Sequence, residues 1–189
     1  MIFKVRNISK KYGRKIVLNK FSYEFKSGLY LLTGVNGVGK STLLKIISKI
    51  IYPSNDNYYI TNTKVAYLCE KIELINIRVI NFLNKIASIN DVEVDLKKLI
   101  TEWKIPNKRI NNLSKGNKQK VAILMMLLTD SEIYVFDEPT NALDEFAVAK
   151  FISFVNDLIN NEKTVIISTH DKECFKYLKH QEIRLECLN

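Results

Sequence analysis

Apolar and polar residues alternate in IFKVRNIS (2–9) and FSYEF (21–25), which predicts two N-terminal strands, each with one buried face. The stretch LYLLTG (29–34) is apolar without alternation, as expected of a central strand covered on both faces and ended by the glycines after it. In TLLKIISKII (42–51), Leu43, Ile46, Ile47 and Ile50 recur at helical spacing, and the run stops before Pro53. The order so far is strand, glycine loop, helix.

Residues 73–128 carry helix-like patterns and little strand character. Helices near 78–89 and 95–104 fit, and Pro106 with the Asn-rich NKRINN breaks the pattern before Leu113. Ser114 can cap a further helix through VAILMMLL. IYVF (133–136) then reads as a buried strand, EFAVAKFISFVNDLI (145–159) as a helix and TVIIS (164–168) as another strand. Strands and helices alternate at both ends of the chain with a helical insertion between, which argues for an α/β core with parallel strands. No repeat, long linker or low-complexity segment interrupts it.

A chain of 189 residues that is 47% hydrophobic can bury a real core, and the length favours one domain. The net charge of +9 is uneven: residues 1–50 hold 11 Lys/Arg against the single acid Glu24. A nucleic-acid surface, an anionic nucleotide and a solvated lysine face all fit that asymmetry. The longest apolar run, Val121 to Leu128, is far below the roughly 20 residues that span a bilayer. The charged Lys4 and Arg6 follow Met1 closely, so no signal peptide is expected, and the 19 or so residues after His170 are too few for a further domain. Cys69, Cys174 and Cys187 lack metal-ligand spacing and read as free thiols of a reducing compartment.

Two segments carry chemistry. GVNGVGKST (Gly34 to Thr42) satisfies G-x-x-x-x-G-K-[ST] directly after a predicted strand and at the start of a helix, the context a phosphate-binding loop requires. Gly34, Gly37 and Gly39 allow a tight loop whose N–H groups, with those of Asn36 and Val38, can face phosphate oxygens. Lys40 would reach the β- and γ-phosphates, the Ser41 hydroxyl would ligate Mg²⁺, and Thr42 belongs to the same ATP-binding set. In IYVFDEPTNALD (133–144), Asp137 follows four apolar strand residues, where a carboxylate can hold Mg²⁺ directly or through water. Glu138 beside it can polarise an attacking water as general base.

GVNGVGKST, LSKGNKQK, VFDEPTNALD and ISTHD follow one another in the order and rough spacing of the ATP-binding cassette family, which the chain resembles over almost its whole length. In that family these are the Walker A loop, the signature, Walker B with its D-loop, and the switch histidine. The resemblance implies a P-loop NTPase fold: a RecA-like core (about 1–69 and 121–189), an antiparallel N-terminal β-subdomain and a short helical subdomain (about 70–120). It matches Tyr12 to the aromatic that stacks on adenine, with Val17 as a second apolar contact. His170 matches the residue that contacts the γ-phosphate and attacking water, and Asp144 the D-loop aspartate that links two ATP sites across a dimer. Ser114 and Gly116 match signature residues that grip the partner's ATP.

Two positions depart from the family pattern. Glu70 stands where a metal-contacting glutamine is usual and adds a negative charge near the triphosphate. Lys115 and Asn117 interrupt the usual LSGGQ, while Leu113, Ser114 and Gly116 are retained. The resemblance implies a cytoplasmic Mg²⁺-dependent ATPase subunit that forms a homodimer, or a heterodimer with another cassette, on the inner face of the membrane. Separate permease subunits would carry the cargo, and the signature variant resembles exporters of peptides, drugs or similar compounds. No direct contact with nucleic acid is expected on this reading. A soluble cassette ATPase acting on ribosomes or nucleic acid, and a regulatory cassette that hardly hydrolyses ATP, are the alternatives.

Overall fold

A computed structural model describes residues 2–187. The alternating N-terminal stretches become β1 (Ile2–Tyr12) and β2 (Lys15–Lys26), paired antiparallel. Along the chain follow β3 (Gly28–Thr33), α1 (Lys40–Ile47), β4 (Tyr59–Ile60), β5 (Val65–Leu68), α2 (Val79–Ile89) and α3 (Leu96–Glu102). The remaining strands and α-helices are α4 (Lys115–Leu127), β6 (Ile133–Asp137), α5 (Glu145–Asn160), β7 (Thr164–Ser168) and β8 (His180–Arg184). They form a three-stranded sheet in the order β2-β1-β4 and a five-stranded sheet in the order β5-β6-β7-β3-β8. The first is antiparallel and the second parallel throughout.

The parallel sheet separates two cores. On β3, Leu29 and Leu31 face a cluster built with α2, α3, α4 and α5, while Tyr30 and Leu32 face a second cluster with α1, β1 and β2. The same division runs along β6, where Tyr134 and Phe136 join the first cluster and Ile133 and Val135 the second. Strands covered on both faces need apolar residues at every position, which is why these runs lack alternation.

Three strands differ from expectation. β4 and β8 were not expected, because β4 is two residues long and β8, HQEIR, buries only Ile183 and so has no apolar period. β5 is a four-residue apolar run, too short to be told from a helix turn by periodicity. The helix expected over 42–51 ends at Ile47, since Lys49 takes a left-handed φ of 58° and Ile50, which would have continued its apolar face, is 60% exposed. The expected N-cap of α4 holds, with Ser114 Oγ accepting from the Asn117 N–H at 3.2 Å, and Asp95 Oδ1 caps α3 in the same way from the Lys98 N–H at 3.0 Å.

Candidate nucleotide site

The carboxyl ends of β3, β6 and β7 lie side by side, and each leads into a segment with candidate chemistry. After β3, residues Gly34 to Gly39 form the loop that enters α1. Gly39 is the N-cap, with φ 114° and no side-chain cap, so the first N–H groups of α1 have no side-chain acceptor. These open N–H groups and the positive end of the helix favour an anion there. Two glycines are required by contact as well as by φ: a Cβ on Gly39 would lie 2.7 Å from Val17 Cγ1, and one on Gly34 2.6 Å from the Leu185 carbonyl oxygen.

A cleft of about 520 Å³ opens over this loop. Asn36, Gly37, Gly39, Lys40, Ser41 and Thr42 line its floor. Tyr12 and Val17 from the β1–β2 hairpin line the cleft as well, as do Glu70, Glu138 and His170. Gly34 and Val38 do not line it. Gly34 supplies the carbonyl that Lys40 Nζ donates to at 2.8 Å, and Val38 is turned inward and buried. Ser114 and Gly116 also lie outside the cleft. Two lining residues were not singled out from the sequence: Lys15, across the hairpin from Tyr12, and Asn141, which stands within DEPTNALD in the loop after β6.

Beneath the floor sits a hydroxyl–carboxylate network. Asp137 is 2% exposed. Its Oδ1 accepts from Ser168 Oγ at 2.6 Å and Ser41 Oγ at 3.1 Å, and its Oδ2 from the Tyr67 hydroxyl at 3.4 Å. Burial and the neighbouring Asp137 charge push the Tyr67 phenol far up, so it stays a neutral donor. Ser41 and Asp137 present the hard oxygen ligands that Mg²⁺ takes together with substrate phosphates, so the residues present fit that ion. Among the described residues no group of three or more His, Cys, Asp or Glu could hold a metal by itself. An ion here therefore needs oxygens from the nucleotide or from water.

Glu138 is buried, and its Oε1 has no hydrogen-bond donor among the described residues although His170 Nε2 is 3.1 Å away. Burial pushes its carboxyl above the ordinary range, and His170 and Lys40 pull it partly back. A buried carboxylate on the cleft lining, with one oxygen lacking a donor, is suited to accept a proton.

The N-terminal end of α4 lies against the loop after β6. A Cβ on Gly116 would lie 2.5 Å from the Ala142 carbonyl oxygen, Gln119 Nε2 donates to Pro139 O at 2.8 Å, and Lys120 Nζ pairs with Asp144 Oδ2 at 2.7 Å. Asp144 Oδ1 caps α5 through the Ala147 N–H at 2.8 Å. Gly116 and Asp144 thus have contacts within their own chain that already require them.

Loop, helix terminus and paired acids at the carboxyl ends of parallel strands define a P-loop nucleotide-binding protein. The family model described as ABC transporter matches residues 18–141. The chain is 35% identical over 182 residues to an uncharacterized ABC transporter ATP-binding protein of Methanocaldococcus jannaschii, covering 90% of this chain and 68% of that protein. It is 28% identical over 195 residues to a zinc import ATP-binding protein of Rickettsia conorii, covering 100% and 83%. A solved structure of a putative ABC transporter ATP-binding protein from Pyrococcus furiosus superposes with a TM-score of 0.80 at 26% identity over 98% of both chains. The chain belongs to the ABC transporter family, as an ATP-binding subunit.

Proposed function

We propose that the cleft binds Mg-ATP and that the chain hydrolyses it to drive transport through separate membrane subunits. The observation that carries this reading is the convergence of Lys40, Ser41, Asp137, Glu138 and His170 at one end of the parallel sheet. Tyr12 and Val17 hold the adenine, and the loop N–H groups with Lys40 hold the phosphates. A bound Mg²⁺ would be held by Ser41 and Asp137, with Glu70 nearby, and would neutralise charge on the phosphate oxygens. Glu138 takes the proton of the attacking water, and His170 orients that water toward the γ-phosphate. Lys40 stabilises the charge that develops.

Among the described residues no helix is long and apolar enough to cross a membrane, so transport requires partner subunits that do. A second cassette, identical or related, would bring its own Ser114 and Gly116 to this ATP, and the pair would sit on the cytoplasmic face of its permease. The Lys115-bearing signature supports export of a peptide, drug or similar compound, while a relative named for zinc import supports the opposite direction. Transport assays in vesicles with the co-purifying permease decide between them: ATP-dependent loading of inside-out vesicles supports export, and loading of right-side-out vesicles sinks it.

Turnover of purified protein with a Lys40→Ala control tests the enzymatic reading. Absent turnover in the wild type overturns it in favour of a regulatory cassette, for which Glu70 and the altered signature speak. The basic N-terminal quarter favours one other reading, a cassette acting on RNA. A tight, strongly salt-dependent RNA affinity would select it.

A further inference from the structure

Ser168 ends β7 opposite Asp137, its register partner at the end of β6. The side chain is fully buried. Its Oγ lies 2.6 Å from Asp137 Oδ1 and 3.0 Å from the backbone nitrogen of Glu138. The Glu138 N–H can only donate, so it takes a lone pair of the hydroxyl and leaves the single hydroxyl proton for the carboxylate. One oxygen atom thereby ties the side chain of the first acid to the backbone of the second.

The Glu138 backbone needs such a tie. Its φ of 50° lies in the left-handed region, which a non-glycine residue keeps only where its surroundings hold it. The Ser168 carbonyl accepts from the same N–H at 3.1 Å, so the strand end grips Glu138 at two oxygens. Two residues further along, the same strand exit delivers His170 to Glu138 Oε1. Without the Ser168 hydroxyl, Asp137 would depend on Tyr67 at 3.4 Å and on Ser41, the hydroxyl that has to be released to the metal.

We propose that Ser168 is a positioning residue for ATP turnover, fixing Asp137 and Glu138 relative to each other without touching substrate. This rests on the ATPase reading above. The test compares wild type, Ser168→Ala and Ser168→Thr by steady-state turnover and by equilibrium titration of a fluorescent ATP analogue at increasing Mg²⁺. In Ser168→Ala, kcat falls and the Mg²⁺ midpoint for nucleotide binding rises, each by about 10–100-fold, while KM for ATP moves less than about threefold. Ser168→Thr keeps the hydroxyl and recovers most of both. Wild-type kcat and midpoint in the alanine variant, or a threonine variant no better than alanine, overturns the proposal. If the wild type turns over no ATP, it is the ATPase reading that fails, and the Mg²⁺ midpoint alone decides the role of Ser168.

Discussion

His170 Nε2 stands 3.1 Å from Glu138 Oε1 and 3.4 Å from Lys40 Nζ, so one ring nitrogen lies between the candidate base and the phosphate-loop lysine. Removing the Glu138 charge leaves the cleft's shape intact. Glu138→Gln is therefore expected to bind ATP, lose about 10²–10⁴-fold in turnover and accumulate as a nucleotide-bound dimer. Light scattering with and without ATP, beside a phosphate-release assay, checks this, and normal turnover by the variant would refute the assigned role.

The same carboxyl predicts a pH profile. Burial raises its pKa, and the deprotonated form is the one that accepts a proton. Turnover should climb with pH along a limb displaced above the ordinary glutamate range and then level off. Stopped assays across buffers of constant ionic strength read the limb. A limb at the ordinary glutamate position would argue against a buried base.

Tyr12 is half exposed, with Lys10 Nζ 5.5 Å from its ring centroid, and offers a flat apolar face at the rim of the cleft. Base stacking on an aromatic contributes about 1–3 kcal/mol by alanine substitution. Tyr12→Ala should weaken ATP binding about tenfold or more, and Tyr12→Phe should not. Equal affinities for the two variants in a calorimetric titration would remove Tyr12 from the site.

At Gly116 a methyl group meets the Ala142 carbonyl at 2.5 Å, and backbone on both sides has little room to yield. Overpacking of this kind costs about 1–3 kcal/mol. Gly116→Ala should lower the melting temperature by about 2–10 °C in a domain of this size. An unchanged melting curve would show that the two segments can separate at no cost.

Asp144 accepts from Lys120 and caps α5, and these contacts hold its pKa below the ordinary aspartate range. A depressed carboxylate pKa adds stability that is present above the unfolded value and lost as pH falls through the folded one. Asp144→Asn should thus be less stable than wild type at neutral pH, and the gap should close under acid. Asp144→Ala, which also loses the cap, should cost about a further 1 kcal/mol. Urea melts at neutral and acid pH separate the two contributions.

The fold class was legible in the sequence, and so were the candidate site residues that motifs single out. Lys40, Ser41, Asp137 and Glu138 stand in contiguous motifs whose local chemistry requires those residue types. Lys15 stands in no motif, and Asn141 and Ser168 stand within VFDEPTNALD and ISTHD without a role that the motif assigns them. Each comes to the site only through the fold: Lys15 opposite Tyr12 in its hairpin, Asn141 on the cleft lining from the loop after β6, and Ser168 opposite Asp137 on the neighbouring strand. β8 was hidden for a related reason, since an edge strand with one buried residue leaves no apolar period to read. The short stop of α1 was hidden because a left-handed Lys49 has no compositional mark.

Among the described residues, the odd and even positions of β3 feed two separate cores on opposite faces of the sheet. Damage on one side should then be felt little on the other. Leu44 lies in the core beneath α1, and Leu124 in the core beneath α4. Their alanine substitutions should each be costly, yet in combination they should sum to within about 0.5 kcal/mol, as independent sites do. A nucleotide in the cleft would be exempt from this insulation, because Tyr12 at the end of β1 and Glu138 just after β6 both line it.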